Sequence, residues 1–365
     1  MSSANHAFVT GGTGLIGRAV VERLLQRGVN VTLMLRAGAE DRRKTELEAL
    51  GAIAGGANGS LTQVTGDLSE PDLGLSQDAS AALSSAGHCF HTRHLLSALS
   101  RARFDGRLHH VSSVAVAGDY ADTFTEAMFQ EGQDLPHAYH RSKFESEKLV
   151  RESKVDYRIY RPSSVVGDSK TGAMDRIDGV YYSFGAIKKL AYALPGWVRL
   201  PVPRIRGRFN LVPVDYVADA LVHIAFSDTD ARVFHLVDPK PPPFVKMADM
   251  FVAAAGGPRL GPAVDIAKMP GAKKTGALVS MLPSIRELRD AFVSDLGLPT
   301  QSLGAMNIKV RLEDANTQAA LAGSDISCPP LRTYAKALYR YYEGQGRSRH
   351  GRITWHRLGH STHGR

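Results

Sequence analysis

The stretch "FVTGGTGLIG", Phe8–Gly17, sets Gly12, Gly14 and Gly17 in G-x-G-x-x-G spacing, with Gly11 beside them. Before it, "HAFVT" reads as a short buried strand. After it, "LIGRAVVERLLQRG" spaces its apolar residues as one helix face and stops at Gly28. A strand that passes through glycines into a helix can turn sharply and let a phosphate approach the backbone. The helix start then points unpaired N–H groups and a positive dipole at that phosphate. In this setting the glycines predict a dinucleotide site, a step that the spacing alone would not justify.

Strand and helix patterns go on alternating beyond this turn. "NVTLMLR" and "LTQVTGDL" read as strands, "SQDASAALSSA" as a helix, and "RLHHVSSV" and "DYRIYRP" as later strands. Such alternation implies parallel strands joined by right-handed crossovers. The fold class expected is therefore α/β, a Rossmann-type doubly wound parallel sheet. The pattern loosens after about residue 170, where "PVDYVADALVHIAF", "SIRELRDAFVSDLG" and "LRTYAKALYRYYEG" read as helices and "RVFHLVDP" as a strand. This divides the chain into a cofactor-binding domain over 1–169, a smaller substrate-binding region with later Rossmann elements over 170–343, and a basic, disordered tail over 344–365. The second strand ends at Arg36, about twenty residues past the glycines, where an NAD site would usually place a carboxylate. An arginine there suits the extra 2′-phosphate, so NADP(H) is expected rather than NAD(H), with Arg42 and Arg43 able to assist.

Composition narrows the class. The chain has 365 residues, 43% hydrophobic and 22% charged, as in ordinary globular proteins. Its two cysteines, Cys89 and Cys328, imply no disulfide framework and suit a reducing cytoplasm. No apolar run approaches the length of a membrane span, and the N-terminal residues show no charged-then-apolar signal pattern. The net charge of +9 falls to +4 without the tail's five arginines, so the body carries no nucleic-acid footprint. "HCFHTRH" groups His88, Cys89, His91 and His94, but without a metal-ligand frame, and no metal is expected.

Further along, "AYHRSKFESEK" places Tyr139 and Lys143 four residues apart. Together with the earlier motifs, these residues resemble the extended short-chain dehydrogenase/reductase family. "TGGTGLIG" is similar to its T-G-x-x-G-x-x-G loop, "GDL" to its adenine-lining segment with Asp67, and "HHVSSVAVAGD" to the strand that carries its active-site serine, here Ser113. "YHRSK" supplies Tyr139 and Lys143, and "YRPSSVVG" resembles its R-P-x-x-V-x-G turn, where Pro162 and Val165 would flank the nicotinamide. "FNLVPVDYVADAL" and "DRIDGVYYSFGAIKKL" resemble the branch that reduces fatty acyl thioesters. The resemblance implies cofactor contacts from Gly11, Thr13, Gly14, Leu15, Ile16, Gly17, Arg36, Asp67, Leu68, Lys143, Pro162 and Val165.

The implied catalytic residues are Ser113, Tyr139 and Lys143. Four apart on a helix, Tyr139 and Lys143 share one face. The ammonium favours the tyrosinate, which lets Tyr139 pass a proton to an oxygen gaining charge. Ser113 would steady that oxygen, and Lys143 would also hold the nicotinamide ribose. The expected activity is NADPH-dependent reduction of an acyl thioester such as acyl-CoA toward aldehyde or alcohol, with a homodimer as the expected partner state.

One departure matters. Where the family has a fourth strand, a small-residue turn, a loop and a helix, "HCFH" here runs straight into "TRHLL", as if about two dozen residues were missing. Thr92 to Gly106 still suffices for a parallel crossover, which needs a dozen or more residues. Two alternatives therefore stand. One is a sugar-nucleotide epimerase or hydroxysteroid-type dehydrogenase of the same fold. The other is a paralogue that binds NADP but is catalytically impaired by the gap near His91.

Overall fold

The structure, a computed structural model, describes residues 5–86, 88–91, 96–174, 179–203, 207–264 and 310–349. In chain order the first half runs β1 (His6–Val9), α1 (Leu15–Gln26), β2 (Asn30–Leu35), α2 (Ala39–Arg42), α3 (Lys44–Gly56), β3 (Leu61–Thr65), α4 (Gln77–Ser85), β4 (His88–His91), α5 (Leu96–Arg101), β5 (Arg107–Val111), β6 (Thr123–Phe124), α6 (Ala138–Glu152) and β7 (Asp156–Pro162). The second half runs β8 (Ser164–Val166), α7 (Tyr182–Ala193), β9 (Arg199–Pro203), β10 (Leu211–Pro213), α8 (Val214–Ala225), β11 (Val233–Leu236), α9 (Phe244–Ala254), β12 (Arg259–Val264), β13 (Arg311–Leu312), α10 (Ala315–Leu321) and α11 (Leu331–Arg349).

Seven of these strands form one sheet in the order β11-β7-β5-β4-β1-β2-β3, every neighbouring pair parallel. The strands read as apolar runs because helices cover both faces. Ala7 and Val9 face the layer of α1, α3 and α8, while Phe8 faces Leu83 of α4, Leu99 of α5 and Val150 of α6. The strand order reverses between β1 and β4, and the crevice outside the strand ends at such a point is where ligands bind in open α/β sheets.

The shortened segment does not break the sheet. β4 pairs with β1 through Ala7↔His88 and with β5 through His88↔Arg107, and the six-residue α5 makes the crossover. A separate apolar cluster joins α7, α9 and α11 through Phe184, Phe251, Leu338 and Tyr339, with β9 and β12 paired beside it. Helix α11 runs on to Arg349, into the stretch expected to be a disordered tail, because its apolar face packs on α9 and carries the helix beyond Gly344. The helix expected at 284–297 lies outside the described residues, as does the tail from 350. Among the described residues, no helix is long and apolar enough to cross a membrane.

Candidate active site

The glycine turn is built as the spacing requires. Gly11 has φ of 66°, the left-handed region that favours glycine, and its carbonyl accepts the N–H of Gly14 at 3.0 Å. A Cβ on Gly17 would lie 2.2 Å from the Gly11 carbonyl oxygen, and one on Gly12 would lie 2.3 Å from Leu33 Cδ1. The turn is therefore pressed against both its own helix and the neighbouring strand. Gly14 caps α1 with no side chain, and the first turn of the helix carries no acidic residue. The side chains of Leu15 and Ile16 pack on the core, which leaves this end of the helix to present backbone. Thr13 is half-buried beside it. A cradle that only glycine can line, at an uncapped helix start, fits a pyrophosphate.

Arg36 and Asp67 follow β2 and β3 at the same sheet edge. Arg36 is 72% exposed and its Nε lies 3.8 Å from Asp67 Oδ2. Asp67 Oδ1 accepts the Ser69 hydroxyl and N–H at 2.7 and 2.9 Å, and these bonds, with Arg36, hold its carboxyl below the ordinary range. Gly66 is required here, since a Cβ would lie 2.8 Å from the Leu73 carbonyl oxygen. Leu68 packs on the core behind it. Arg42 and Arg43, suggested as helpers, are engaged locally, Arg42 with the Gly38 carbonyl and Arg43 with Glu46. Arg36, which follows β2, is the most exposed of the ion-paired arginines at this edge.

The reactive residues follow β5. Ser113 Oγ accepts the N–H of Ala115 at 3.2 Å, capping a short 3₁₀ turn over Val114–Ala117 against which α6 packs. That bond uses an oxygen lone pair, so the hydroxyl proton can serve another acceptor. Tyr139 stands in the first turn of α6, 56% exposed. Lys143, one turn on, reaches back so that Nζ donates to the Val111 carbonyl at 3.1 Å, at the end of the strand that leads to Ser113. Pro162 ends β7, buried, and Val165 pairs with Val212 in the short β8–β10 ladder. The glycine turn, Arg36, Asp67 and Ser113 follow C-terminal strand ends of one parallel sheet, and Pro162 is the last residue of another of its strands.

Beneath these residues lies a charge network that the sequence reading missed. Glu147 and Arg161 are both wholly buried and paired at 2.6 Å. Glu147 Oε1 accepts Arg161 Nη2 and Arg151 Nε at 2.6 and 2.9 Å, and Oε2 accepts Ser112 Oγ and Arg161 Nε at 2.6 and 3.1 Å. Burial alone would raise the Glu147 carboxyl, but Arg161, Arg151 and Ser112 outweigh it and hold it low. The carboxylate thus fastens α6, which carries Tyr139 and Lys143, to the neighbours of Ser113 and Pro162. Arg161 continues to His235 Nε2 at 3.1 Å, and Glu126 accepts the His235 N–H at 2.8 Å and the Asn316 N–H at 2.6 Å, so it caps α10. Burial and Arg161 push His235 down to about 3, and burial and Lys143 push His110 down to about 4. The signals available were Glu147 one turn beyond Lys143 and Arg161 just before Pro162, and neither position says that its side chain is buried.

Among the described residues, no group of three or more His, Cys, Asp or Glu side chains could hold a metal ion. The side chains of His88, Cys89 and His91, and all of His94, lie outside the described residues.

Comparison with known proteins decides the family. The profile of an NAD-binding family described as "Male sterility protein" matches residues 9–93 and 89–221. The chain belongs to this family. Its place among the extended short-chain dehydrogenase/reductases follows, and so does its class, that of NAD(P)-dependent oxidoreductases. The two matched segments overlap at 89–93, where the sequence reading puts the missing residues. The fold is similar to that of a terminal R domain from the myxalamid PKS-NRPS biosynthetic pathway, with TM-score 0.70, 22% identity and coverage of 94% of this chain and 92% of that one. It is also similar to the reductase domain of a nonribosomal peptide synthetase from Mycobacterium tuberculosis, with TM-score 0.63, 19% identity and coverage of 93% and 92%. In sequence, the chain is 26% identical over 272 residues to the aldehyde reductase lnbA of Aspergillus flavus, covering 64% of this chain and 26% of that one. The chain thus spans about a quarter of that relative's length.

Proposed function

We propose that this protein is an NADPH-dependent reductase of acyl thioesters, with long-chain acyl-CoA as the substrate to try first. What supports the reading is one arrangement: the glycine cradle and Ser113 follow C-terminal ends of one parallel sheet beside its reversal point, and Lys143 of α6, one turn on from Tyr139, reaches the Val111 carbonyl at the end of the strand that leads to Ser113. The turn from Gly11 to Gly17 would hold the pyrophosphate, Arg36 the 2′-phosphate, Asp67 and Leu68 the adenine side, and Lys143, Pro162 and Val165 the nicotinamide side. A bound nicotinamide supplies the hydride. Tyr139 holds a proton at its phenolic oxygen, ready for the carbonyl oxygen as charge builds there. Ser113 donates a hydrogen bond to that same oxygen. Lys143, anchored on the Val111 carbonyl, stands one helical turn from Tyr139. The region after residue 170, with its own apolar cluster, would cover the acyl chain. The similar proteins, an aldehyde reductase and two reductase domains by name, agree with carbonyl-level reduction.

The test is to titrate the protein with NADPH, follow its oxidation with a long-chain acyl-CoA and with a ketosteroid, and assay a sugar nucleotide for epimerisation by product analysis. Turnover of the acyl-CoA alone supports the proposal; turnover of either other compound refutes the substrate class. A second reading has its own observation, the short link from His91 to Leu96 at the place where the family match splits. On that reading NADPH binds and no acyl-CoA is consumed.

A further inference from the structure

Helix α7 and the turn after it carry a surface that the reductase site does not use. Between Asp178 and Asp215 the sequence has no acidic residue and six basic ones. The buried face of α7, with Phe184, Ile187 and Leu190, packs into the second apolar cluster. Its outward face carries Tyr182, Lys188, Lys189 and Tyr192. Tyr192 is 96% exposed. The helix ends at Ala193, and the Val198 N–H bonds back to the Pro195 carbonyl at 3.0 Å, closing a tight turn that lifts Trp197 to 83% exposure. Arg199 follows, also exposed. An acidic group at the border is Glu343 of α11, 3.9 Å from Lys188.

Two large aromatics this exposed lie within a few residues of three exposed cations, and that combination of chemistry points to a partner. The form of the surface says which one. Tyr192 and Trp197 are exposed at the end of α7 and in the turn after it, with the exposed cations Lys188 and Lys189 before them and Arg199 after. A second copy would bring like charge against like. Tyrosine and tryptophan favour the boundary between water and hydrocarbon, where the ring is buried and its polar edge stays wet. Lysine stems can lie along such a boundary with their charge at anionic headgroups.

We infer that this face of α7 and the turn at Trp197 bind an anionic membrane surface, with Tyr192 and Trp197 entering the headgroup layer and Lys188, Lys189 and Arg199 held by its negative charge. The inference does not rest on the proposed reaction. Flotation of the whole chain with vesicles of phosphatidylglycerol and phosphatidylcholine, against vesicles of phosphatidylcholine alone, tests it. Binding is expected to the anionic vesicles and to weaken with salt. The double substitution Tyr192→Ala/Trp197→Ala should reduce it about tenfold or more, and Lys188→Ser and Lys189→Ser by about fivefold each. NADPH binding should stay unchanged in all of them. The basic residues beyond Gly344 remain in these variants as a control. If the aromatic variant binds as well as the parent, or if neither vesicle is bound, the inference is overturned.

Discussion

Replacing Glu147 by Gln tests whether the buried network holds the site together. The change keeps the shape of the side chain and removes its charge. Each carboxylate oxygen faces two donors, Oε1 facing Arg161 Nη2 and Arg151 Nε, and Oε2 facing Ser112 Oγ and Arg161 Nε. Whichever way the new amide is turned, its NH₂ group meets at least one guanidinium N–H, donor against donor. The Arg161 charge also stays wholly buried without its counter-ion. Breaking a buried pair by removing one partner costs about 3–5 kcal/mol. Ser112→Ala removes only one of the four bonds, for about 1–3 kcal/mol. Urea unfolding monitored by circular dichroism should therefore order the midpoints parent, then Ser112→Ala, then Glu147→Gln, with unchanged slope. A Glu147→Gln loss under about 1 kcal/mol, or a Ser112→Ala loss as large as that of Glu147→Gln, would refute the reasoning.

Three further outcomes follow from the same geometry. Gly17→Ala puts a methyl against the Gly11 carbonyl, where backbone must give way, so NADPH affinity measured by fluorescence titration should fall about tenfold or more with the fold retained. Arg36→Ala should weaken NADPH by about tenfold to a hundredfold and leave NADH unchanged, as the loss of one charge-assisted hydrogen bond predicts; equal weakening of both would remove Arg36 from the 2′-phosphate. His110 and His235 take up protons near 6.5 when unfolded but only at about 4 and about 3 when folded. Stability fully present above 6.5 is then lost as pH falls through that window, by about 1.4 kcal/mol per pH unit for each ring, which unfolding midpoints at pH 7, 6 and 5 would reveal.

Much of the frame was legible because local rules wrote it. The turn at Gly11–Gly17 needs a positive φ and two close approaches, and each leaves a glycine in the sequence. Apolar strands covered on both faces, such as "NVTLML", announce a parallel sheet. Glu147 and Arg161 were not legible. "AYHRSKFESEKLVRE" reads as a polar, solvated helix, and what buries Glu147 comes from Ser112 and Arg161, far along the chain. The ladders β9–β12 and β6–β13 were missed for a related reason. They are short, and their partners lie many residues apart, so no local period marks them. At the shortened segment, the sequence raised the doubt and the pairing of β4 with both neighbours answered it only for the sheet.

The most direct measurement is steady-state NADPH oxidation with a long-chain acyl-CoA, by the parent and by Tyr139→Phe, with NADPH affinity measured on both. Loss of the phenolic proton should lower kcat by about 10²–10⁴-fold and leave the affinity for NADPH unchanged. A Tyr139→Phe variant that turns over as fast as the parent would contradict the account.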